Sequence, residues 1–362
     1  MSQYRAEVSP MKKVAICICN YNKQDMIGQC LQAVSEQVFK DFDVYVCDNH
    51  STDDSVSAIK KFITENPQIN TKLLVTDENI GGAGGFDTAL RAALDADETY
   101  EYLMCVDNDC MLDEKCIGVL AGHLDNDPES GMAAAKIYFL DIPDLIQCYG
   151  LDISYELCGT VSPYFGQIED GSSPAVVYSD AAPACALMVR TSLVKQIGLL
   201  PEENYIYWDD TTWCYRVRQA GFKVANVGAA MALHGLGQRA EVKNTFGTYY
   251  AWRNQIRYFL KTTPDDIFSE VSIRILTDVY LEAVSDYDSG NPEKCAAVMA
   301  ALDDAIHGVT GKARDGIIGP VTVSGQEVAY TTVDSLPEKY QAGAEIFVYT
   351  HYELFLHGRS LQ

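Results

Sequence analysis

The chain reads as an α/β protein organised on a doubly wound sheet, and three observations say so. Uninterrupted apolar runs, of the kind that strands buried on both faces require, alternate with segments of helical period at about 25–30 residues per unit. Each run breaks off in a cluster of Asn, Asp or Gly, and ligands of such sheets bind beyond the carboxyl ends of the strands. At the fourth break, Cys105-Val106-Asp107-Asn108-Asp109-Cys110, two carboxylates stand one residue apart.

Val14 to Cys19 is the first strand, and Asn20-Tyr21-Asn22 the loop after it. Residues 25–38 carry Met26, Ile27, Cys30, Leu31 and Val34 at helical spacing. Asp43 to Cys47 is the second strand, cut by the turn-forming Asp48-Asn49-His50-Ser51-Thr52-Asp53, which also supplies N-caps for a helix over Ser55–Ile63. A third strand, Lys72–Val75, leads into a loop, Asn79-Ile-Gly-Gly-Ala-Gly-Gly85, with a helix over Asp87–Leu94. The fourth strand ends at Asp107. The stretch from Gly131 to Val189 is mixed, with strand-like Val176–Tyr178 and Ala186–Val189. A helix closing at Gly221 and the apolar run Val227–Leu233 follow. Beyond Tyr249 the period is helical as far as Leu302, and Gly311–Gly325 reads as a mixture of loop and strand.

At 362 residues the chain suits one large domain with an appendage, or two domains. Its net charge of -24 argues against nucleic acid or an anionic membrane as a direct electrostatic partner. An anionic nucleotide stays possible, because a bound metal inverts the sign locally. The 12 cysteines form no Cys-x-x-Cys, and Cys17, Cys19, Cys47 and Cys105 lie inside apolar runs. Buried free thiols in a reducing cytoplasm are therefore expected, rather than a zinc site. Met1–Pro10 lacks the apolar core of a signal peptide, and no run of about 18 apolar residues occurs. The expected location is cytoplasmic, with any lipid-linked ligand met at the inner face of the membrane.

A strand that stops and turns can aim Asp107 and Asp109 at one point. Hard divalent cations such as Mg²⁺ or Mn²⁺ take oxygen ligands and leave room for substrate phosphates. On a chain with 51 Asp and Glu, a solvated acidic turn accounts for the same residues. Gly81, Gly82, Gly84 and Gly85 suit backbone N–H groups approaching a diphosphate in front of a helix, and equally suit turns or close strand–helix packing. They match neither Gly-x-Gly-x-x-Gly nor a P-loop. Asp48 either caps the next helix or hydrogen-bonds a nucleoside. In Tyr207-Trp208-Asp209-Asp210, aromatics beside paired acids suit a sugar, whose apolar face stacks on rings while its hydroxyls meet carboxylates. The same acids would also serve simply to open a helix. His234, after Val227–Leu233, is a strand-end residue or a third metal ligand through neutral imidazole.

Taken in order, Asn20-Tyr21-Asn22, the Asp48–Asp53 cluster, Asn79 with its glycines, the Asp-x-Asp, the Trp-Asp-Asp and the late His resemble a family 2 glycosyltransferase with the GT-A fold. The resemblance covers residues 12–262, including Tyr250-Ala-Trp-Arg253-Asn254. In detail, Asn79–Phe86 and Tyr207–Asp210 look most like bacterial galactofuranosyltransferases, with surface-polysaccharide rhamnosyltransferases as neighbours. The resemblance implies a Rossmann-like mixed sheet flanked by helices over residues 1–262, and a mainly helical extension, 263–362, for acceptor contact, oligomerisation or membrane docking. It implies a nucleoside-diphosphate sugar donor held by Asn20, Tyr21, Asp48, Asn79, the four glycines and Asp107, with Asp48 on the nucleobase. It places Mn²⁺ or Mg²⁺ on Asp107, Asp109 and His234. Asp210 matches the catalytic base of an inverting transfer to a glycan or lipid-linked acceptor, with Asp209 on acceptor hydroxyls and Tyr207 and Trp208 as the acceptor platform.

Departures from the family pattern are visible too. Asn108 stands where many relatives have a third acid, and Asp180-Ala-Ala-Pro-Ala-Cys-Ala lacks the bulky aromatics of galactan polymerases. The Gln-x-x-Arg-Trp of processive synthases is absent. A nucleotidyltransferase would instead place its glycine loop and a basic residue directly after the first strand, where Asn20-Tyr21-Asn22 stands. A non-catalytic carbohydrate-binding or scaffold protein would show no metal-dependent nucleotide affinity.

Overall fold

The structure, a computed structural model, describes residues 12–96, 99–235 and 245–318. Four parallel strands open the chain: β1 (Lys12–Asn20), β2 (Phe42–Asp48), β3 (Thr71–Val75) and β4 (Tyr100–Asp107). Between them run α1 (Gln24–Ser35), α2 (Ser55–Glu65) and α3 (Gly81–Leu94). β1 is apolar throughout because both its faces are covered. Val14, Ile16 and Ile18 pack with Ile27 of α1 and Ile59 of α2, while Ala15 and Cys17 pack with Ala89 and Leu90 of α3.

The later strands change direction. β5 (Cys110–Leu112), α4 (Cys116–Asn126), β6 (Ser130–Phe139) and β7 (Ile142–Cys148) come next, then a small hairpin of β8 (Asp152–Ser154) and β9 (Gly159–Val161). They are followed by β10 (Val176–Ser179), β11 (Ala186–Arg190), α5 (Thr191–Ile197), α6 (Asp209–Gln219) and β12 (Lys223–His234). The main sheet runs β10-β12-β6-β11-β4-β1-β2-β3, with β5 added to β12 and β7 to β6. β11 lies antiparallel to both β4 and β6, so the sheet is mixed rather than wholly parallel. An apolar run does not disclose strand direction, which is why the residues from 131 to 189 were legible only as mixed.

Register brings the strand ends together. Asn20 pairs with Asp48 across β1 and β2, and Cys19 with Asp107 across β1 and β4. On the other side, β12 pairs with β5 so that His234 stands opposite Cys110, the neighbour of Asp109.

One boundary differs from the sequence expectation. The glycine segment is not a loop before a helix at Asp87; α3 begins at Gly81. Glycine disfavours a helix interior by about 1 kcal/mol relative to alanine, so its use here has another cause. A Cβ at Gly85 would stand 2.2 Å from Cys19 Sγ, and one at Gly81, where φ is +83°, would stand 2.3 Å from the Tyr205 carbonyl oxygen. The glycines let α3 press against β1 and against the segment before α6.

Three helices close the described chain: α7 (Thr245–Thr262), α8 (Phe268–Asp288) and α9 (Pro292–Ile306). They share an apolar cluster built on Tyr249, Phe259, Val271 and Val298, into which Tyr205 and Trp208 insert. Residues 309–318 form turns and bends; the rest of the Gly311–Gly325 stretch lies outside the described residues.

Candidate active site

β4 delivers Asp107 to the sheet edge, and Asn108 fixes the turn beyond it. Asn108 Nδ2 donates to Asn20 Oδ1 at 2.9 Å, and Asn20 Nδ2 donates in turn to Asp48 Oδ2 at 2.8 Å. Three strand ends are thereby tied by two side-chain amide hydrogen bonds, one buried and one part-buried, an arrangement a third acid at position 108 could not donate into.

Asp107, Asp109 and His234 converge here, each offering a ligand atom within 4.8 Å of the others. His234 Nε2 lies 3.4 Å from Asp107 Oδ2 and 3.2 Å from Asp109 Oδ1. Its second nitrogen, Nδ1, meets Gln147 Oε1 at 2.7 Å. That partner turns Nε2 toward the carboxylates, as outer partners of metal-ligating histidines commonly do. Lys23, just before α1, adds its ammonium at 2.9 Å from Asp109 Oδ2. Burial alone would raise the Asp109 carboxyl, but His234 and Lys23 outweigh it and hold it well below the usual range. Burial likewise opposes a charged His234; Cys185 and the two aspartates more than offset that and raise it well above its ordinary value. Two carboxylates and one oriented imidazole, with Asp107 about a third exposed, are a donor set that fits Mn²⁺ or Mg²⁺ and leaves positions open to phosphate oxygens.

A second pair of acids opens α6. Asp210 Oδ1 accepts from the Thr211 N–H at 2.6 Å and from Thr211 Oγ1 at 3.2 Å, while Oδ2 accepts from the Ala184 N–H at 3.4 Å. Burial raises the Asp210 carboxyl above its ordinary value, and those donors only partly counter it. Asp209 is pushed up to about 8, by burial first and then by the charge of Asp210. Asp107 also raises both, and adjacent residues of one segment touch the two groups: the Asp107 N–H donates to the Cys185 carbonyl at 3.1 Å and the Ala184 N–H to Asp210 Oδ2. Carboxyls raised in this way are suited to proton transfer near neutral pH.

The segment that aims these acids is strained. Tyr205, Tyr207 and Trp208 all have positive φ, at 67°, 65° and 61°, a region that bulky side chains rarely enter. Arg253 and Asn254 of α7 hold it. Asn254 Nδ2 donates to the carbonyls of Asn204, Ile206 and Tyr207 at 2.8, 2.8 and 3.1 Å, and Arg253 reaches the Asn204 carbonyl at 2.9 Å.

Several residues expected to face a ligand are placed otherwise. Asp48 is fully buried, and Asn20, the Ser51 N–H and Ser51 Oγ supply its carboxylate with donors. It neither caps α2 nor presents an oxygen to a nucleobase; it holds the turn after β2. Asn20 is equally buried and acts as the tie described above. Asn79 Oδ1 accepts from the Gly81 N–H at 2.9 Å, from Asn49 and from Tyr205, anchoring the start of α3. Gly81, Gly84 and Gly85 are buried packing positions, and only Gly82 of the four is partly exposed. Trp208 is 2% exposed, wedged against Tyr258 and Phe259, so it belongs to the apolar core and not to an acceptor platform. Tyr207 is half-buried beside Asp209, and Tyr21, 42% exposed, stands at the edge of the site. Lys23 and Gln147 were not singled out in the sequence. Lys23 follows the first strand's polar cluster directly, a signal that was there to read; Gln147 lies 87 residues from His234 and gave none.

The mixed sheet flanked by helices, with two carboxylates and a histidine at its edge, is an α/β fold of the GT-A-like type. Residues 15–153 match the family model described as glycosyl transferase family 2. That match covers less than half of the chain; the chain is a glycosyltransferase. It is 22% identical over 229 residues to glycosyltransferase AglE of Haloferax volcanii, covering 62% of this chain and 68% of that one. A match at 25% identity to a teichoic acid poly(glycerol phosphate) polymerase of Staphylococcus epidermidis covers 55% of this chain and only 25% of the polymerase. Among solved structures, Staphylococcus aureus TarS superposes with TM-score 0.54 at 16% identity, over 82% of this chain and 49% of that one. A mannosyltransferase of Pyrobaculum calidifontis, solved with GDP-mannose and Mn²⁺, superposes with TM-score 0.52 at 14% identity, over 83% and 90%. No helix among the described residues is long and apolar enough to cross a membrane.

Proposed function

We propose that this chain transfers a sugar, with inversion, from a nucleoside-diphosphate donor to a glycan or lipid-linked acceptor in the synthesis of a surface polysaccharide. UDP-galactofuranose is the favoured donor and dTDP-rhamnose the alternative, both on the resemblance of Asn79–Phe86 and Tyr207–Asp210 to those enzymes. The observation that carries the reading is the Asp107–Asp109–His234 cluster near the raised acids of α6. Asp107, Asp109 and His234 would hold Mn²⁺ or Mg²⁺, which when bound stabilises negative charge on a departing diphosphate. Lys23, already on Asp109, adds positive charge beside that diphosphate.

Asp210 takes the proton of the acceptor hydroxyl as its oxygen attacks the anomeric carbon from the opposite face. Its two fixed donors hold one carboxylate orientation, and Asp209 lies beside it for a neighbouring hydroxyl. Alignment of donor and acceptor supplies much of the remaining acceleration, up to about 7–11 kcal/mol in well-positioned cases. Residues 1–262 form the catalytic domain in this reading, with α7 at its end holding the Tyr205–Trp208 segment, and 263–362 an extension whose α8 and α9 share an apolar cluster with α7, with the acceptor met at the inner face of a membrane.

Donor hydrolysis tests it, screened with Mn²⁺ over UDP-galactofuranose, dTDP-rhamnose, UDP-glucose, UDP-galactose and UDP-N-acetylglucosamine. Turnover of the first above the others supports the favoured donor. Turnover of dTDP-rhamnose alone assigns the alternative, and turnover of none removes the reading.

A further inference from the structure

α8 has its polarity reversed. Between 273 and 287 eight residues are exposed and none is charged, and six of them are large and apolar: Ile273, Leu276, Tyr280, Leu281, Val284 and Tyr287. Ile273, Tyr280 and Tyr287 are about two-thirds exposed, at 66%, 65% and 67%. The charged residues of the same stretch, Arg274, Asp278, Glu282 and Asp286, fall four apart on the half-buried and buried side. There Arg274 pairs with Asp278 at 3.1 Å, and Lys294 of α9 with Asp286 at 3.1 Å. A surface helix ordinarily turns its apolar stripe inward and its charges out, and each large apolar side chain left in water forgoes the gain of burial. An uncharged apolar face along four turns of one helix marks a contact surface.

We propose that residues 346–356 of this same chain lie against that outward face of α8. The described chain ends at Ile318, which packs on the same apolar cluster as the inner face of α8. Forty-four residues, 319–362, follow it. Within them, 346–356 contains eight apolar residues in 11, among them Phe347, Tyr352 and Phe355, with Glu353 its one formal charge. It is a second apolar stretch that needs cover, and it matches the first in lacking charge. The connection is long enough: 27 intervening residues reach at most about 89–97 Å, well beyond the length of about 31 Å of the 21-residue α8. A tethered segment acts at an effective concentration on the order of millimolar, above that at which a second copy would present itself. A membrane surface fits less well, because a surface-lying helix carries Lys and Arg along its apolar stripe and this face has neither, on a chain of net charge -24.

Hydrogen exchange on the full chain tests the docking, at low and at high protein concentration with light scattering alongside. In the wild type, amides of 346–356 exchange at least about tenfold slower than a free peptide of that sequence. The exposed-face variant Tyr280→Lys/Tyr287→Lys releases that protection although it alters no residue of 346–356, and Phe347→Asp/Phe355→Asp speeds exchange across 273–287. Unchanged exchange in α7 certifies the fold of both variants. Free-peptide exchange of 346–356 in the wild type overturns the proposal, as does protection that survives the α8 variant. Protection that appears only at high concentration, with a dimer mass, overturns it too, because a second copy then covers the face.

Discussion

A side chain of Asp210's size that cannot accept a proton separates chemistry from binding. Asp210→Asn keeps hydrogen bonding to Thr211 and removes the proposed base, so kcat should fall about 10²–10⁴-fold while donor affinity stays near wild type. If Asp210→Asn keeps more than about a tenth of kcat and Asp209→Asn is dead, the roles of the two acids are exchanged. Asp209 has its own signature in stability. Its folded carboxyl, near 8, lies above the ordinary 3.8, so the folded state binds the proton more tightly than the unfolded chain. That contribution is complete below the ordinary value and is lost as pH rises through the folded one. In metal-free protein, Asp209→Asn should therefore raise Tm at pH 8, by about 1–2 °C for each 1 kcal/mol relieved in a chain of this size, and leave it nearly unchanged near pH 4. Equal shifts in thermal melts at both pH values would show that Asp209 is not held protonated. His234→Ala removes one of the three proposed ligands, so calorimetry should find Mn²⁺-linked nucleotide affinity weakened but present; full wild-type affinity would return His234 to a strand-end role.

The strands were legible as elements, and the helix and loop details much less so. β1, β2 and β4 announce themselves by unbroken apolar runs, because strands covered on both faces leave no other choice. The convergence of Asp107 and Asp109 followed from one such run ending. The start of α3 did not, since four glycines lower helix propensity, and the approach of Cys19 to Gly85 and of Tyr205 to Gly81 is visible only in the fold. Trp208 was misplaced for a similar reason: an aromatic beside two acids looks the same whether it stacks on a sugar or fills a core, and α7, some forty residues on, decides. Asp48 is buried by Asn20 and Ser51, which its own turn signature does not reveal. The Tyr205–Trp208 segment lends itself to a test at this scale. Asn254→Ala strips one amide from three backbone carbonyls, which should cost about 1–3 kcal/mol in denaturant unfolding. Relaxation of three left-handed residues next to Asp209 should lower kcat about a hundredfold. A variant that is destabilised yet fully active would mean that the strain does not position the acids.

For the whole molecule, the sheet brings together groups that are distant in sequence. Asp107 and Asp109 come from the end of β4, His234 from β12 and the acid pair from α6, while Gln147 and Lys23 orient and neutralise from β7 and from the start of α1. The negative charge of the chain, -24 overall, makes binding of a bare nucleoside diphosphate unfavourable unless a cation is recruited at that edge. The most direct test of the account is therefore calorimetric titration of UDP and of dTDP into the full chain, with Mn²⁺ and with chelator, in the wild type and in Asp107→Ala and Asp109→Ala. The account predicts that Mn²⁺ tightens wild-type affinity for at least one of the two nucleotides by about tenfold or more, worth about 1.4 kcal/mol, and that either substitution removes the gain while leaving the thermal melt cooperative. Equal affinity with and without Mn²⁺ in the wild type, or a gain that survives both substitutions, would contradict it.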